Sequence, residues 1–178
     1  MGSGDHGYHS VVAVAAPSLW SAFTARAELL GAAVMRTSSQ ETAASLLLET
    51  APTYVCTRSA AQRFPRIAQP TRTAHRSEAE VVAASPFAVA ETGSVALNEP
   101  SDDRGRCFLA ERLWLLVPEG SLVATLDQAL QRIAELIRQG AHHPLLMSGP
   151  SRTADIERVL TIGVHGPRAV VIVVVGGA

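Results

Sequence analysis

The sequence contains no lysine: every one of its 15 basic residues is arginine. That excludes a Schiff-base lysine, a P-loop lysine on a nucleotide phosphate and a lysine general base. Cysteine is nearly as scarce, with only Cys56 and Cys107, far apart and without a CxxC spacing. Two thiols cannot build a disulfide framework, an iron–sulfur cluster or a four-cysteine zinc site, and reduced thiols in the cytoplasm are the simplest expectation. Long apolar runs are also missing. The longest, "AVVIVVVGGA", is too short for a membrane-spanning helix and has the β-branched richness of a buried strand. Neither sign of charge is in excess: 15 basic and 16 acidic residues leave a net charge of -1. Nucleic acid and anionic membranes are therefore not expected as partners, and the N-terminus lacks the basic flank and apolar core of a signal peptide.

What is present is a chain of 178 residues with 47% hydrophobic content, enough for one domain with a sizeable core. The motif "GSGDHG", Gly2 to Gly7, matches GxGxxG by letter only. A dinucleotide site needs a strand to deliver the first glycine, and here the motif begins one residue into the chain. Residues 1–16 read as a flexible leader and 17–178 as a single domain.

Helical spacing places a helix over Pro17 to Leu30, stopped by Gly31, and a strand over "AAVMRT". Ser38 and Glu41 have the spacing of a capping box before "TAASLLLE". "APTYVCT" reads as a strand, Ala60 to Glu80 as a short helix and an exposed loop, "EVVAA" as a strand and "SPFAVA" as a turn or helical segment. "GSVALNE" and "RLWLLVP" read as two strands joined by a solvent-facing connection that carries Asp102, Asp103, Arg104 and Arg106. Thr125 and Gln128 cap a helix with the stripe Leu126, Leu130, Ile133 and Ile137, ended by Gly140. "HPLLMS", "SRTADIERVL" and "RAVVIVVV" complete the chain as strand, helix and strand. This alternation predicts an α/β fold around a largely parallel sheet.

Two segments carry the polar groups of a site. In "AVAETGSVAL", Glu91, Thr92, Gly93 and Ser94 form a turn between apolar segments, either a polar turn or a ligand contact. In "LLMSGPSRTADIE", a Ser-Gly-Pro turn leads to a predicted helix that Ser151 or Thr153 can cap. Arg152 adds a fixed cation, so this is either a capped helix or an anion site. His165, between two glycines, is a general acid or base or a structural donor. The tandem His142 and His143 would face opposite sides of a strand, a poor metal pair, and no metal or other cofactor is expected.

The run "SGPSRTADIERVLTIGVHGP", preceded by "AETGSVAL", closely resembles the signature of the LUD domain. The chain from Pro17 onward looks like the lactate-utilization type in which that domain stands alone. Ser94 departs from the second Thr common in "ETGT" but keeps the hydroxyl. The resemblance implies a three-layer α/β/α sandwich similar to the sugar-phosphate isomerase and CoA-transferase (NagB/RpiA/CoA transferase-like) superfamily. It also implies a part in bacterial oxidation of L-lactate to pyruvate, beside an iron–sulfur protein and a cysteine-rich protein. Such a reaction moves two electrons and needs a redox group, so this chain would bind, orient or regulate. On the matched positions the expected substrate-binding residues are Thr92, Gly93, Ser94, Ser148, Gly149, Ser151, Arg152, Thr153, Asp155 and Gly166, with a small anionic metabolite as ligand. Glu91 and His165 are the catalytic candidates for the alternative, an autonomous enzyme acting on a sugar phosphate, carboxylate or CoA ester.

Overall fold

The structure is a computed structural model that describes residues 18–68, 79–153, 161–162 and 166–177. The leader, His75, Asp155 and His165 lie outside the described residues.

Five strands make a central sheet in the order β1 (Ala33–Thr37), β11 (Ala169–Val175), β6 (Arg112–Pro118), β3 (Glu80–Ala84) and β2 (Val55–Cys56), every pair parallel. Parallel central strands are covered on both faces, which is why "RLWLLVP" and "AVVIVVV" are continuously apolar. Alternate residues divide between two cores. Val81, Ala83, Leu113, Leu115, Val117, Val170 and Ile172 face α1 (Leu19–Leu29) and α4 (Ser101–Leu109) through Phe23, Ala27 and Cys107. Val82, Ala84, Trp114, Leu116, Val171, Val173 and Val175 face α2 (Gln40–Thr50) and α3 (Arg58–Arg63) through Ala43, Leu47 and Ala60, with Phe64 and Ile67 beyond. The result is the expected α/β architecture, with helices on both sides of the parallel sheet. At one end of the sheet, Glu80 accepts hydrogen bonds from Arg112 at 2.9 Å and from the indole N–H of Trp114 at 2.7 Å. That satisfies the one polar atom of the fully buried tryptophan.

A second sheet was not anticipated. Its four strands run β7 (Leu122–Val123), β4 (Ala88–Val89), β5 (Ser94–Leu97) and β8 (Leu145–Met147). Val95 and Leu97 join the core of the central sheet, while Phe87, Val89, Ala96 and Val123 meet Ala129 of α5 (Leu126–Arg138) on the other side. "SPFAVA" is thus strand at Ala88–Val89 rather than turn or helix, because β5 and β7 supply ladder partners that a local pattern cannot reveal.

Other expectations shift. The capping box lies one residue later, at Ser39 and Thr42: the Ser39 hydroxyl accepts the Thr42 N–H at 3.3 Å, and the Thr42 hydroxyl accepts the Ser39 N–H at 3.0 Å. The charged connection after β5 is helix α4, and Asp103 in it is buried rather than solvated. Arg58 and Arg106 compensate its charge. In α5, Thr125 caps as expected, but the Gln128 side chain takes the Ala124 N–H instead of completing the box. Its apolar stripe points largely outward: Leu126, Leu130 and Ile137 are exposed, and the small sheet is covered by Ala129, Ile133 and Leu136. The predicted helix at "SRTADIERVL" starts instead as strand β9 (Arg152–Thr153), paired antiparallel with β10 (Thr161–Ile162). Residues 154–160 lie outside the described residues. Among the described residues no helix is long and apolar enough to cross a membrane.

Candidate functional site

The antiparallel β5–β8 ladder joins the two polar segments. Val95 lies opposite Met147 and Leu97 opposite Leu145. Extending that register by one residue sets Ser94 against Ser148, and their hydroxyl oxygens are 2.6 Å apart. Ser94 is buried, Ser148 exposed. Beside them lies a cleft of about 260 Å³ with Phe108, Leu145, Leu146 and Met147 on its apolar walls, and Ser148, Gly149, Ser151, Gly166 and Pro167 on the rest.

The glycines of both segments are explained by α1. Gly93 has φ +66° and Gly149 φ +84°, the left-handed region that disfavours side chains. A Cβ on Gly93 would lie 2.5 Å from the Ala27 nitrogen, and one on Gly149 2.6 Å from the Leu30 carbonyl oxygen. Both turns are thus pressed against the second half of α1, which holds the hydroxyl pair in place. On the far side of the cleft the Ser151 N–H donates to the Pro167 carbonyl at 3.1 Å, tying the Ser-Gly-Pro turn to the approach of β11. This corrects the picture of Ser151 opening a helix.

Glu91 stands apart from the cleft walls. It is exposed, and its Oε2 accepts the Leu126 N–H at 2.7 Å, the first N–H of α5. A carboxylate is favoured there by the unpaired N–H groups and the helix dipole. Thr92, next to it, keeps a buried hydroxyl oxygen without a partner. Arg152 and Thr153 lie on β9. The arrangement therefore unites Ser148, Gly149, Ser151 and Gly166 around one cleft, sets Ser94 behind Ser148 as its hydrogen-bond partner, and leaves Glu91 at a helix end.

Sequence reasoning missed a second polar cluster. Glu99, just after β5, is buried, and its Oε1 accepts hydrogen bonds from the Thr57 hydroxyl at 2.8 Å and from the Ser59 hydroxyl. Burial holds its carboxyl above the usual range and nearby Asp103 adds to this, against the two hydroxyl bonds and the backbone of Ala84. Asp103 itself accepts the Arg58 N–H at 3.0 Å and a bond from Arg106 at 3.2 Å. His142 and His143 precede β8 rather than beginning it, and both border a cleft shared with Glu99. Burial pushes the Cys56 thiol up to about 11 and the Cys107 thiol to about 12, so neither is a ready nucleophile. Among the described residues no group of three or more metal-ligating side chains is assembled.

Comparison with known proteins places this geometry. The chain is 38% identical over 99 residues to lactate utilization protein C of Geobacillus thermodenitrificans, covering 53% of this chain and 41% of that protein. It is 36% identical over 92 residues to lactate utilization protein C of Deinococcus radiodurans, covering 50% and 42%. With the Bacillus subtilis protein of the same name it shares 37% identity over 87 residues, covering 47% and 36%. The matches thus span only about two fifths of those relatives. The crystal structure of a DUF162 family protein from Deinococcus radiodurans superposes with a TM-score of 0.62 at 22% identity, over 89% of this chain and 96% of that one, which speaks for a shared fold. The LUD domain family model matches residues 80–175, a stretch that runs from β3 to β11 and contains both polar segments, and the chain belongs to the LUD domain family.

Proposed function

We propose that this chain serves in bacterial L-lactate utilization as a binding component of the machinery that oxidises L-lactate to pyruvate, working in the cytoplasm with iron–sulfur and cysteine-rich partner proteins that carry the electrons. Its residues 17–178 act as one LUD domain. The names of its relatives support the metabolic setting, and two cysteines are too few to ligate an iron–sulfur cluster within the chain.

The observation that carries the reading is the Ser94–Ser148 hydroxyl pair at the edge of the cleft. Two hydroxyls 2.6 Å apart share one hydrogen bond between them, which leaves the other proton free for a ligand oxygen. Ser148 and Ser151 then meet the carboxylate of a small 2-hydroxy or 2-oxo acid, and Phe108, Leu145 and Met147 take its methyl group. The cleft volume of about 260 Å³ suits a molecule of this size. Arg152, two residues from the Ser-Gly-Pro turn's proline, supplies positive charge to the same segment.

Titration calorimetry with L-lactate and pyruvate tests the site. A lost hydrogen bond to a charged group is worth about 1.5–3 kcal/mol, so Ser148→Ala weakens binding by roughly tenfold or more. Reconstitution tests the setting: lactate oxidation by the partner proteins falls when this chain is omitted. An undiminished rate without it removes the proposal.

A further inference from the structure

The β5–β8 ladder has a second end. Beyond the Leu97–Leu145 pair, the segment leaving β5 and the segment entering β8 wall a cleft of about 550 Å³. Its lining runs over residues 98–101 with Arg104 on one side and over 139–143 on the other, and it shares no residue with the cleft at Ser148. At about 3.4 Å per strand residue, Glu99 lies roughly 17 Å along the chain from Ser94.

Three features there lack an internal explanation. Glu99 lines the cleft at 5% exposure, yet among the described residues no group meets its Oε2 in full hydrogen-bond geometry. Its other oxygen takes both available hydroxyls, from Thr57 and Ser59. With both hydroxyls on Oε1, a proton on Oε2 of the neutral acid has no acceptor among the described residues. The raised carboxyl pKa agrees with that protonation state. Asp103, equally buried, makes the contrast, because Arg58 and Arg106 satisfy both its oxygens. Secondly, the Arg104 side chain borders the cleft and makes no ion pair with any described residue. Thirdly, α4 begins at Pro100, which gives no side-chain cap to the N–H groups of its first turn.

The cleft also adjoins the carboxyl ends of β2 and β3, since Thr57 follows β2 and donates its N–H to Val82 at 2.9 Å. Open parallel sheets bind ligands at such ends. We propose that this cleft binds a small organic anion, its carboxylate or phosphoryl group held by Arg104 and the first turn of α4, with Glu99 donating a hydrogen bond to it. His142 and His143 border the cleft from the α5–β8 connection and add donors. Asp102, also in the first turn of α4, is 81% exposed and leans toward Arg58, 3.7 Å away, so solvent screens its charge.

The test is a titration of the ¹⁵N-labelled chain with pyruvate and, separately, with inorganic phosphate, followed by amide shifts. Saturable shifts at Asn98, Ser101, Gln139 and Gly140 are expected with at least one probe, and the stronger probe identifies the acidic group. Arg104→Gln weakens that binding at least tenfold, whereas Ser148→Ala leaves it within twofold. Glu99→Gln, which keeps a neutral donor, retains binding, and Glu99→Met weakens it severalfold. The proposal is overturned if neither probe shifts those amides, if shifts are confined to Ser148–Ser151, if Arg104→Gln binds as the parent does, or if Glu99→Gln abolishes binding. The serine-pair site stands or falls separately, on the response to Ser148→Ala of shifts at Ser148, Gly149 and Ser151.

Discussion

Replacing Gly93 with alanine separates two explanations of the "ETGS" turn, ligand approach and packing. At φ +66° a Cβ costs about 1–2 kcal/mol from backbone strain alone. The new atom would also sit 2.5 Å from the Ala27 nitrogen, 2.7 Å from the Arg26 carbonyl carbon and 2.8 Å from the Arg26 Cβ. That is roughly 1 Å short of a comfortable contact. Nothing flexible yields: Ala27 is 1% exposed and packed into the core beneath the sheet. Overpacking of this kind costs about 1–3 kcal/mol, so Gly93→Ala loses roughly 2–5 kcal/mol in total, a large part of the 5–15 kcal/mol typical of a domain. Urea unfolding followed by tryptophan fluorescence reads this as a lower midpoint at an unchanged slope, and thermal unfolding as a fall of about 4–20 °C. The same assay has an internal control. Gly105 lies inside α4 with nothing within 4 Å of an added methyl, so Gly105→Ala gains about 0.5–1 kcal/mol. A loss below about 1 kcal/mol at Gly93, beside a normal gain at Gly105, would refute the packing argument.

Glu91→Ala removes the carboxylate that accepts the Leu126 N–H and costs about 0.5–2 kcal/mol of stability, read as a lower urea midpoint, with Glu91→Asp intermediate. A fully stable Glu91→Ala chain contradicts the capping role. The buried Glu99 predicts a pH signature. Its native carboxyl titrates above the unfolded one, so the folded state holds the extra proton, and its stabilising contribution is complete below about pH 4.3 and drains away as pH rises through the native value. Glu99→Gln lacks that loss, so its stability relative to the parent rises as pH climbs from the unfolded carboxyl value through the raised native one. Parallel stability curves over that range count against a neutral Glu99.

Where the sequence was legible, a single element carried its own evidence. The apolar run of β6, the β-branched run of β11, and α1 closed by Gly31, are local patterns that their burial confirms. α4 was hidden because Asp102, Asp103, Arg104 and Gly105 resemble a solvated turn, and Arg58, more than forty residues earlier, joins Arg106 in letting Asp103 enter the interior. The two-residue strands β4 and β7 are too short to show a period, and pairing with each other and with β5 makes them strands. Glu99 is the same case at the level of a site. Read in "VALNEPSDD" it is one acid among several, and its burial depends on hydroxyls at Thr57 and Ser59 that no spacing connects to it.

The candidate site divides along the same line. Gly93 and Gly149 have a complete structural account, because α1 leaves no room for a side chain at either turn. Glu91 likewise has work to do as the acceptor for α5. The hydroxyls are different. Ser148, exposed at the end of β8, partners the buried Ser94 hydroxyl at 2.6 Å and still has hydrogen-bonding capacity facing the cleft. Thr92 keeps a buried hydroxyl oxygen with no partner. Apolar residues of similar size would fill these positions at less cost in buried polar atoms. The glycines and the acid thus each have a structural role, and the hydroxyls at the cleft edge are the first place to seek a ligand. Deleting the hydroxyls of Ser94 and Ser148 together, which leaves no buried oxygen unpaired there, should accordingly change binding far more than it changes the urea midpoint.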